Sequence, residues 1–245
     1  MAKATYSVPV SEVYGESTAL ATTLAYGDII NVRKGFKGLQ FYCAAEFKFL
    51  TTPRIAKVIL YDHSAGIYSD LTSQAIDNNS ATVVSLGTMT TSDQLWVGCV
   101  GTYLGLSINV STVNAVTATF VETYWNGSVQ TQLPDTISDG TISGGVTLAQ
   151  DGLYTWGLPG AGLWQPQSVN KSELLYYTRF VPSAALTAGT SIEAIVAINK
   201  AANYGYFPAA MVHDFNYDED LVGGLQFLAV SGTPTVYINH LVYKG

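Results

Sequence analysis

Short apolar runs separated by turn residues repeat along the whole chain. Most runs are rich in Val, Ile, Tyr and Phe and are bounded by Gly, Asn, Asp or Ser, a pattern typical of short β-strands. Helical periodicity is weak, and only Lys171 to Leu175 or Ser183 to Leu186 is expected to form a single helical turn. The chain is therefore predicted to be all-β, with the short strands of an antiparallel sandwich. The predicted strands are Ile29–Val32, Leu39–Phe47, Ile55–Tyr61, Thr82–Leu86, Gln94–Val97, Leu104–Val110, Val116–Tyr124, Ser128–Gln132, Val146–Leu148, Leu153–Trp156, Leu174–Val181, Ser191–Ile198, Gly224–Val230 and Thr235–Tyr243.

The clearest turn signal is the pair Asn126-Gly127, which separates two of these strands. Asn-Gly is the preferred pair of a two-residue type I′ turn, in which both central residues need positive φ. We therefore expect Val116–Tyr124 and Ser128–Gln132 to form a β-hairpin around this pair.

The length of the chain allows one large β domain or two smaller ones. We divide it into an N-terminal β-rich arm or subdomain at residues 1–85, a sandwich at residues 86–198 and C-terminal strands at residues 199–245, which are candidates to complete the first unit. A weak internal repeat favours two related sandwiches, although chance similarity between β-rich stretches explains it equally well. Its first copy is Asp28–Val32, Gly38–Phe41 and Ala56–Tyr61, and its second is Asp93–Val97, Gly105–Ile108 and Ala118–Tyr124.

Charge is scarce in this sequence. Asp, Glu, Lys and Arg make up 12% of its 245 residues and give a net charge of −7, whereas a typical protein has about 25% charged residues. The acidic balance disfavours contact with nucleic-acid phosphates. Arg33, Lys34 and Lys37 form the main basic cluster, which is either a solvated loop or a contact to an acidic partner. No leader-like segment and no run of about 18 apolar residues occurs, so we expect neither secretion nor a membrane anchor.

Few residues point to a metal or a cofactor. The run from Asp214 to Asp220 alternates oxygen ligands as calcium loops do, but Glu219 stands where the EF-hand form needs Gly, and Leu225 where it needs Glu. We therefore expect a solvated acidic loop, with structural Ca²⁺ as the alternative. Cys43 and Cys99 lack zinc-type spacing and are predicted to be buried free thiols. No nucleotide-binding motif occurs, so no cofactor is expected.

Catalysis has no support in the sequence pattern. A Ser-His-Asp set needs a histidine beside a nucleophile on a strained turn, and His63, His213 and His240 accompany no G-x-S-x-G elbow. The paired carboxylates of a glycosidase are a spatial arrangement that the sequence does not reveal. We predict that the protein is not an enzyme and has no catalytic residues.

A series of short motifs carries a family resemblance. In order, these are Asp93–Val97 (DQLWV), Tyr124–Ser128 (YWNGS), Asp139–Thr141 (DGT), Gln150–Gly152 (QDG) with Trp156 and Pro159, and Tyr177–Val181 (YTRFV) followed by Ser183–Thr187 (SAALT). The series resembles the jelly-roll-like β-sandwich modules of tailed-phage virion proteins, found in capsid decoration proteins, head fibres and tail or baseplate appendages. It covers about residues 86 to 198. The sequence departs from the pattern at Thr178, where a bulky residue is expected.

The resemblance implies an architectural role and supplies no active site. It implies a virion protein, assembled in the host cytoplasm, that decorates or cements the capsid through non-covalent contacts with the major capsid protein and with its own copies. By the same analogy we expect a homo-oligomer, with a trimer as the first guess. Neither nucleic acid nor a membrane is an expected partner.

The candidate contact residues are aromatic, with Trp125, Trp156, Trp164 and Tyr177 as the first choices. Exposed Tyr and Trp on a sandwich also stack on sugars, so the alternative function is a glycan-binding adhesion module of a phage tail or baseplate. The position of the surface aromatic residues separates the two functions. A groove that also holds Asp and Asn favours a sugar, whereas a flat face or a subunit seam favours assembly.

Overall fold

The structure is a computed structural model that describes residues 10–20, 22, 24, 29–31, 38–77, 79–134, 137–199, 205–216 and 222–243. Strands make up 52% of it and helix 3%, so the predicted all-β sandwich class is confirmed. Four antiparallel sheets of described residues pack as two sandwiches. The jelly-roll connectivity stays a prediction.

The chain forms short strands and one brief helix over its described residues. In chain order the elements are β1 (Val10–Ala19), β2 (Ile29–Asn31), β3 (Gly38–Cys43), β4 (Phe47–Pro53), β5 (Ile55–Asp62), β6 (Ile67–Asp70), α1 (Thr72–Ile76), β7 (Val84–Ser85), β8 (Gln94–Cys99), β9 (Gly105–Thr112), β10 (Phe120–Trp125), β11 (Gln130–Gln132), β12 (Ser138–Asp139), β13 (Gly152–Thr155), β14 (Tyr176–Pro182), β15 (Ser191–Ile198), β16 (Gly205–Phe207), β17 (Met211–Asn216), β18 (Val222–Ala229) and β19 (Thr235–Tyr243).

Strands from both ends of the chain build one sandwich, which we call the terminal sandwich. Its sheets have the orders β1-β19-β3-β17 and β16-β4-β18-β2. Successive side chains of a strand point to opposite faces. On β3, Phe41 and Cys43 therefore lie in the core, and Tyr42 faces outward. Phe49 and Phe227 of the opposing sheet pack on Phe41, with ring centroids 5.1 and 6.1 Å from it.

Residues 55–198 build the second sandwich, which we call the central sandwich. Its sheets have the orders β11-β10-β14-β8-β5-β6 and β12-β13-β9-β15-β7. The core between them joins Val97 of β8, Phe180 of β14 and Ile195 of β15, together with Tyr103 from the turn between β8 and β9. Trp96 of β8 points the other way, to the outer face of the six-stranded sheet.

Strand β15 is buried on both of its faces. Ala197 lies in the core of the central sandwich, and the alternate residues Val196 and Ile198 pack against Ile29 of β2 in the terminal sandwich. A strand with two buried faces reads as a nearly continuous apolar run. The two contact surfaces thus explain why the last five residues of this strand, 194–198, are all apolar.

The structure corrects several predicted elements. The helix found among the described residues is Thr72–Ile76, and neither Lys171 to Leu175 nor Ser183 to Leu186 is helical. The predicted strand Leu39–Phe47 is broken by a bend and continues as β4. Val146–Leu148 contributes an isolated bridge in place of a strand.

The sheets cut across the predicted segments of the chain. Strands β5, β6 and β7, which belong to residues 1–85, pair within the central sandwich, whereas β1 to β4 pair with strands of residues 199–245. The first copy of the weak repeat covers β2, β3 and β5, which lie in three different sheets. Its second copy covers β8, β9 and β10, which lie in two. The two copies therefore hold different places in the fold.

Candidate functional site

The Asn126-Gly127 turn joins two paired strands, so the predicted hairpin is confirmed. Trp125 of β10 lies opposite Gln130 of β11. The loop differs from a two-residue type I′ turn, because the side chain of Asn126 closes it: its Oδ1 accepts hydrogen bonds from the backbone N–H groups of Ser128 and Val129, each at 2.9 Å. Gly127 has φ +97°. Trp125, the first candidate contact residue, is half-buried at the start of this loop.

The other three candidate aromatic residues are buried. Trp156 donates from Nε1 to the carbonyl of Tyr103 (3.2 Å), and the Trp164 ring lies 5.1 Å from the Tyr103 ring. Tyr177 lies on the outer face of the six-stranded sheet, where the segment containing Ser172 covers it and the two hydroxyls are 2.8 Å apart. These three side chains therefore pack the protein and are not available on its surface to a partner.

A row of exposed apolar side chains crosses the outer face of the sheet β1-β19-β3-β17. Val212 pairs with Tyr42, and Tyr42 pairs with Tyr237; they are 57%, 37% and 56% exposed. The two tyrosine rings lie 6.5 Å apart at an interplanar angle of 33°. We call these three residues, with Gln40 and Asn239 in the next row, the tyrosine face.

Neutral polar groups form the second row of the tyrosine face. Gln40 pairs with Asp214 on one side and Asn239 on the other, and its Nε2 donates to Oδ1 of Asp214 (3.2 Å). Asp214 is the charged member of this row. The face therefore combines exposed aromatic and apolar side chains with neutral polar groups and the single charge of Asp214.

A second surface lies on the outer face of the six-stranded sheet and centres on Arg179. Arg179 of β14 pairs with Thr123 of β10 and with Trp96 of β8. Its Nε donates to Thr123 Oγ1 (3.0 Å), and its guanidinium carbon lies 5.6 Å from the centroid of the Trp96 ring. Burial lowers the pKa of Arg179, but a guanidinium stays charged at neutral pH.

Two stacked tyrosines extend this surface toward β6. Gln94 of β8 pairs with Tyr61 of β5, which pairs with Tyr68 of β6. The rings of Tyr61 and Tyr68 lie 4.5 Å apart at 29°, and Tyr68 is 40% exposed. We call the whole set the arginine face; its members are Thr123, Arg179, Trp96, Gln94, Tyr61 and Tyr68.

The residues considered as alternatives for metal binding and catalysis do not come together in the described part of the chain. No group of three or more His, Cys, Asp or Glu side chains there is placed to hold a metal ion. His213 packs against Phe41 and Phe207, His63 lies edge-on to Tyr61, and His240 is buried. Residues 217–220 of the acidic run and the basic cluster at residues 33–37 lie outside the described residues.

The two cysteines are buried free thiols, as predicted. Burial raises the pKa of the Cys99 thiol well above its usual range. Cys99 is thus a poor nucleophile at neutral pH, because the thiolate is the reactive form.

The sequence did not single out Arg179, Tyr42 or Tyr237. The sequence does contain a signal for Arg179, because it is the one charged residue in the strand Tyr176–Pro182. Side chains alternate along a strand, so Arg179 points to the sheet face opposite to that of its neighbour Phe180. Tyr42 and Tyr237 give no such signal, because a tyrosine in a strand packs inward as readily as outward.

Together these features define an all-β protein of two packed sandwiches, each with one distinctive outward sheet face. Comparison of the chain with protein-family models, with curated proteins and with solved structures found no match. Within the described residues, no helix is long and apolar enough to cross a membrane.

Proposed function

We propose that the protein is a structural virion protein of a tailed phage that decorates or cements the capsid, and that it attaches through the tyrosine face. The observation that carries the proposal is the exposed row of Val212, Tyr42 and Tyr237 on the outer sheet face of the terminal sandwich. The virion setting rests on the sequence resemblance between Asp93 and Thr187.

The composition of the tyrosine face suits a protein partner. The centres of protein interfaces are rich in Tyr and poor in charged residues, as this row is. Tyrosine supplies a large apolar area with few rotatable bonds, so it loses little entropy when a partner orders it. Gln40 and Asn239 supply neutral donors and acceptors at its edge.

The partners that fit are the major capsid protein and further copies of this chain. A protein that binds the closed shell and not its separated subunits stabilises the shell by linkage. Repetition around a symmetry axis of the shell favours a closed homo-oligomer, with a trimer as the first expectation. This role needs no cofactor and no catalytic residue.

The test compares two variants of matched chemistry. Particles that lack the protein are mixed with the parent chain, with the double variant Tyr42→Ala/Tyr237→Ala and with the control Tyr68→Ala, which removes an exposed tyrosine from the central sandwich. We expect the double variant to bind particles at least about tenfold more weakly, because two interface tyrosines are lost. The control should bind as the parent does.

Sedimentation at micromolar protein concentration gives a second measurement. The parent should be oligomeric, and its binding to particles should change little with salt, because a neutral interface has few charges to screen. The proposal would be refuted if the parent were a monomer that does not bind particles lacking the protein. It would also be refuted if the double variant bound these particles as tightly as the parent does.

A further inference from the structure

Arg179 carries a charge that no described residue balances. The ion pair found among the described residues joins Lys57 to Asp70 (2.7 Å) and leaves Arg179 without a carboxylate. Its Nε donates to Thr123 Oγ1, but the terminal nitrogens of the guanidinium hold further donors in a planar fork. A half-buried cation without an anion is unfavourable, so an anionic ligand at this position would offset its desolvation.

A chain of hydrogen bonds holds the guanidinium in place. Thr123 Oγ1 donates to Oε1 of Gln130 (3.3 Å), and Gln130 Nε2 donates to Oε1 of Gln167 (3.1 Å). Every donor in this chain points away from Arg179, and the Trp96 ring lies beneath the guanidinium. The terminal nitrogens of Arg179 are thus positioned while no described residue accepts from them, which favours bidentate recognition of a carboxylate.

Other donors on this side of the sheet also lack acceptors. Nε1 of Trp96, a side chain more than nine-tenths buried, and the buried Nε2 of Gln167 have no hydrogen-bond partner. Buried donors without partners are uncommon in proteins. Both atoms are closed off from solvent, so the donors that a ligand on this face can reach are the terminal nitrogens of Arg179.

The rest of the arginine face is neutral and aromatic. The amide of Gln94 adjoins Tyr61, on which the exposed ring of Tyr68 is stacked. Strands lie about 4.8 Å apart, so Arg179 and Tyr68 are separated across the sheet by on the order of 14 Å. A single carboxylate side chain of a protein partner would use only the Arg179 end, whereas an oligosaccharide reaches the tyrosine ring as well.

From these contacts we infer that the arginine face binds a carboxylated saccharide of the uronic or sialic acid class. Arg179 pairs with the carboxylate, Gln94 hydrogen-bonds to hydroxyl groups, and Tyr68 stacks on a sugar ring. This site is independent of particle attachment, because it lies on the central sandwich and the tyrosine face lies on the terminal sandwich.

The test uses two acidic probes with neutral partners of the same sugars. Trigalacturonate is compared with its methyl ester, and sialyllactose with lactose, by isothermal titration calorimetry on the full chain. At least one acidic probe should bind, and its neutral partner should bind at least about tenfold more weakly, because the ion pair is lost. Added salt should weaken the binding of the acidic probe.

Variants then locate the site. Arg179→Gln should lose at least about tenfold in affinity, and Arg179→Lys should lose part of it, because lysine keeps the charge but not the planar fork. Tyr68→Ala should also bind more weakly. Lys48→Gln is the matched control, since Lys48 is likewise a cation over an aromatic ring (Tyr206, 5.3 Å) but belongs to the terminal sandwich.

Melting curves show whether each variant folds. If Arg179→Gln does not fold, the affinities of Arg179→Lys and Tyr68→Ala decide whether the arginine face is the binding site. Failure of both acidic probes to bind would overturn the inference. Equal affinity for the acidic probe and its neutral partner, or unchanged affinity after loss of the Arg179 side chain, would do the same. Stronger binding of polyglutamate than of either acidic sugar would assign the face to an acidic protein segment instead.

Discussion

The hydroxyl of Tyr103 lies 2.8 Å from the hydroxyl of Thr178, a residue 75 positions further along the chain. The Tyr103 hydroxyl also lies 2.8 Å from the carbonyl of Val97 and accepts a hydrogen bond from the Thr178 backbone N–H (3.2 Å). The ring of Tyr103 therefore occupies the core beside the small Thr178. This contact explains why the chain has no bulky residue at position 178, where the family resemblance expects one.

Replacing Thr178 tests this contact. Thr178→Val keeps the shape but removes one hydroxyl, and we expect it to lower the free energy of unfolding by about 1 kcal/mol. Thr178→Leu adds volume against Tyr103 and should cost more, about 1–3 kcal/mol. Urea denaturation measures both. Equal stability of the leucine variant and the parent would mean that Tyr103 does not fill this space.

Gly98 should tolerate no side chain, because the ring of Tyr177 lies over it. A Cβ atom at Gly98 would stand 2.5 Å from Cε1 of Tyr177, whereas one at Gly101 would meet nothing nearer than 3.9 Å. We expect Gly98→Ala to destabilise the protein by about 1–3 kcal/mol. Gly101→Ala is the control and should melt close to the parent. Similar melting of the two variants would contradict the packing of Tyr177 on β8.

Gly127 should be required for the hairpin loop. Its φ of +97° is one that a β-branched residue rarely adopts, so Gly127→Val is expected to cost on the order of 1–2 kcal/mol. Ser128→Val, at the next position, which is also exposed, separates the backbone effect from the effect of an added apolar side chain. If both variants melt alike, the loop does not depend on a positive φ at Gly127.

Glu122 should make stability depend on pH. Its side chain is buried in the core of the central sandwich, where desolvation raises its pKa above 4.5 while a hydrogen bond donated by the Tyr154 hydroxyl opposes the rise. A carboxyl with a raised pKa in the folded state is stabilising while protonated, and the contribution is lost as pH rises through the folded pKa. The parent should therefore lose stability relative to Glu122→Gln as pH rises from below 4.5.

Urea denaturation across a pH series measures this difference. Glu193→Gln, the same chemical change on β15, controls for the loss of a negative charge. A constant difference between the parent and Glu122→Gln at all pH values would show that Glu122 titrates alike in the folded and unfolded states.

Removal of calcium should leave the protein unchanged. We expect the acidic run from Asp214 to Asp220 to be solvated, and Asp214, which the structure describes, accepts a hydrogen bond from Gln40. Addition of EDTA should not shift the melting temperature. A fall of more than a few degrees that excess calcium reverses would instead demonstrate a bound ion, by linkage.

The sequence predicts those strands whose inward face is buried. Gln94–Val97 and Ser191–Ile198 are found because buried strands concentrate apolar residues. Strand β6 was missed because all four of its residues are exposed, and β17 because its outward positions hold Val212 and Asp214 on a solvent-facing edge. Such strands do not alternate clearly between apolar inward and polar outward residues, so hydrophobic patterning does not detect them.

The candidate surfaces were harder to predict, because they are made by residues far apart in the chain. Gln40 and Asp214 are separated by 174 residues. Trp156 and Trp164 belong to a type of residue common at binding sites, but Tyr103 packs on both of them inside the core. The amino-acid type thus suggested candidate contact residues. Whether an aromatic side chain faces a partner or the interior depends on its tertiary contacts, which the sequence does not reveal.

The position of β19 has a consequence for how the protein folds during synthesis. This last described strand lies in the middle of its sheet, between β1 and β3, and β1 pairs with no other described strand. The central sandwich can therefore form on the ribosome while β1 has no partner and the Phe41 face of β3 stays uncovered. Completion of the terminal sandwich must wait until β19 has been synthesised, so the tyrosine face can form only after all strands of the central sandwich have been made.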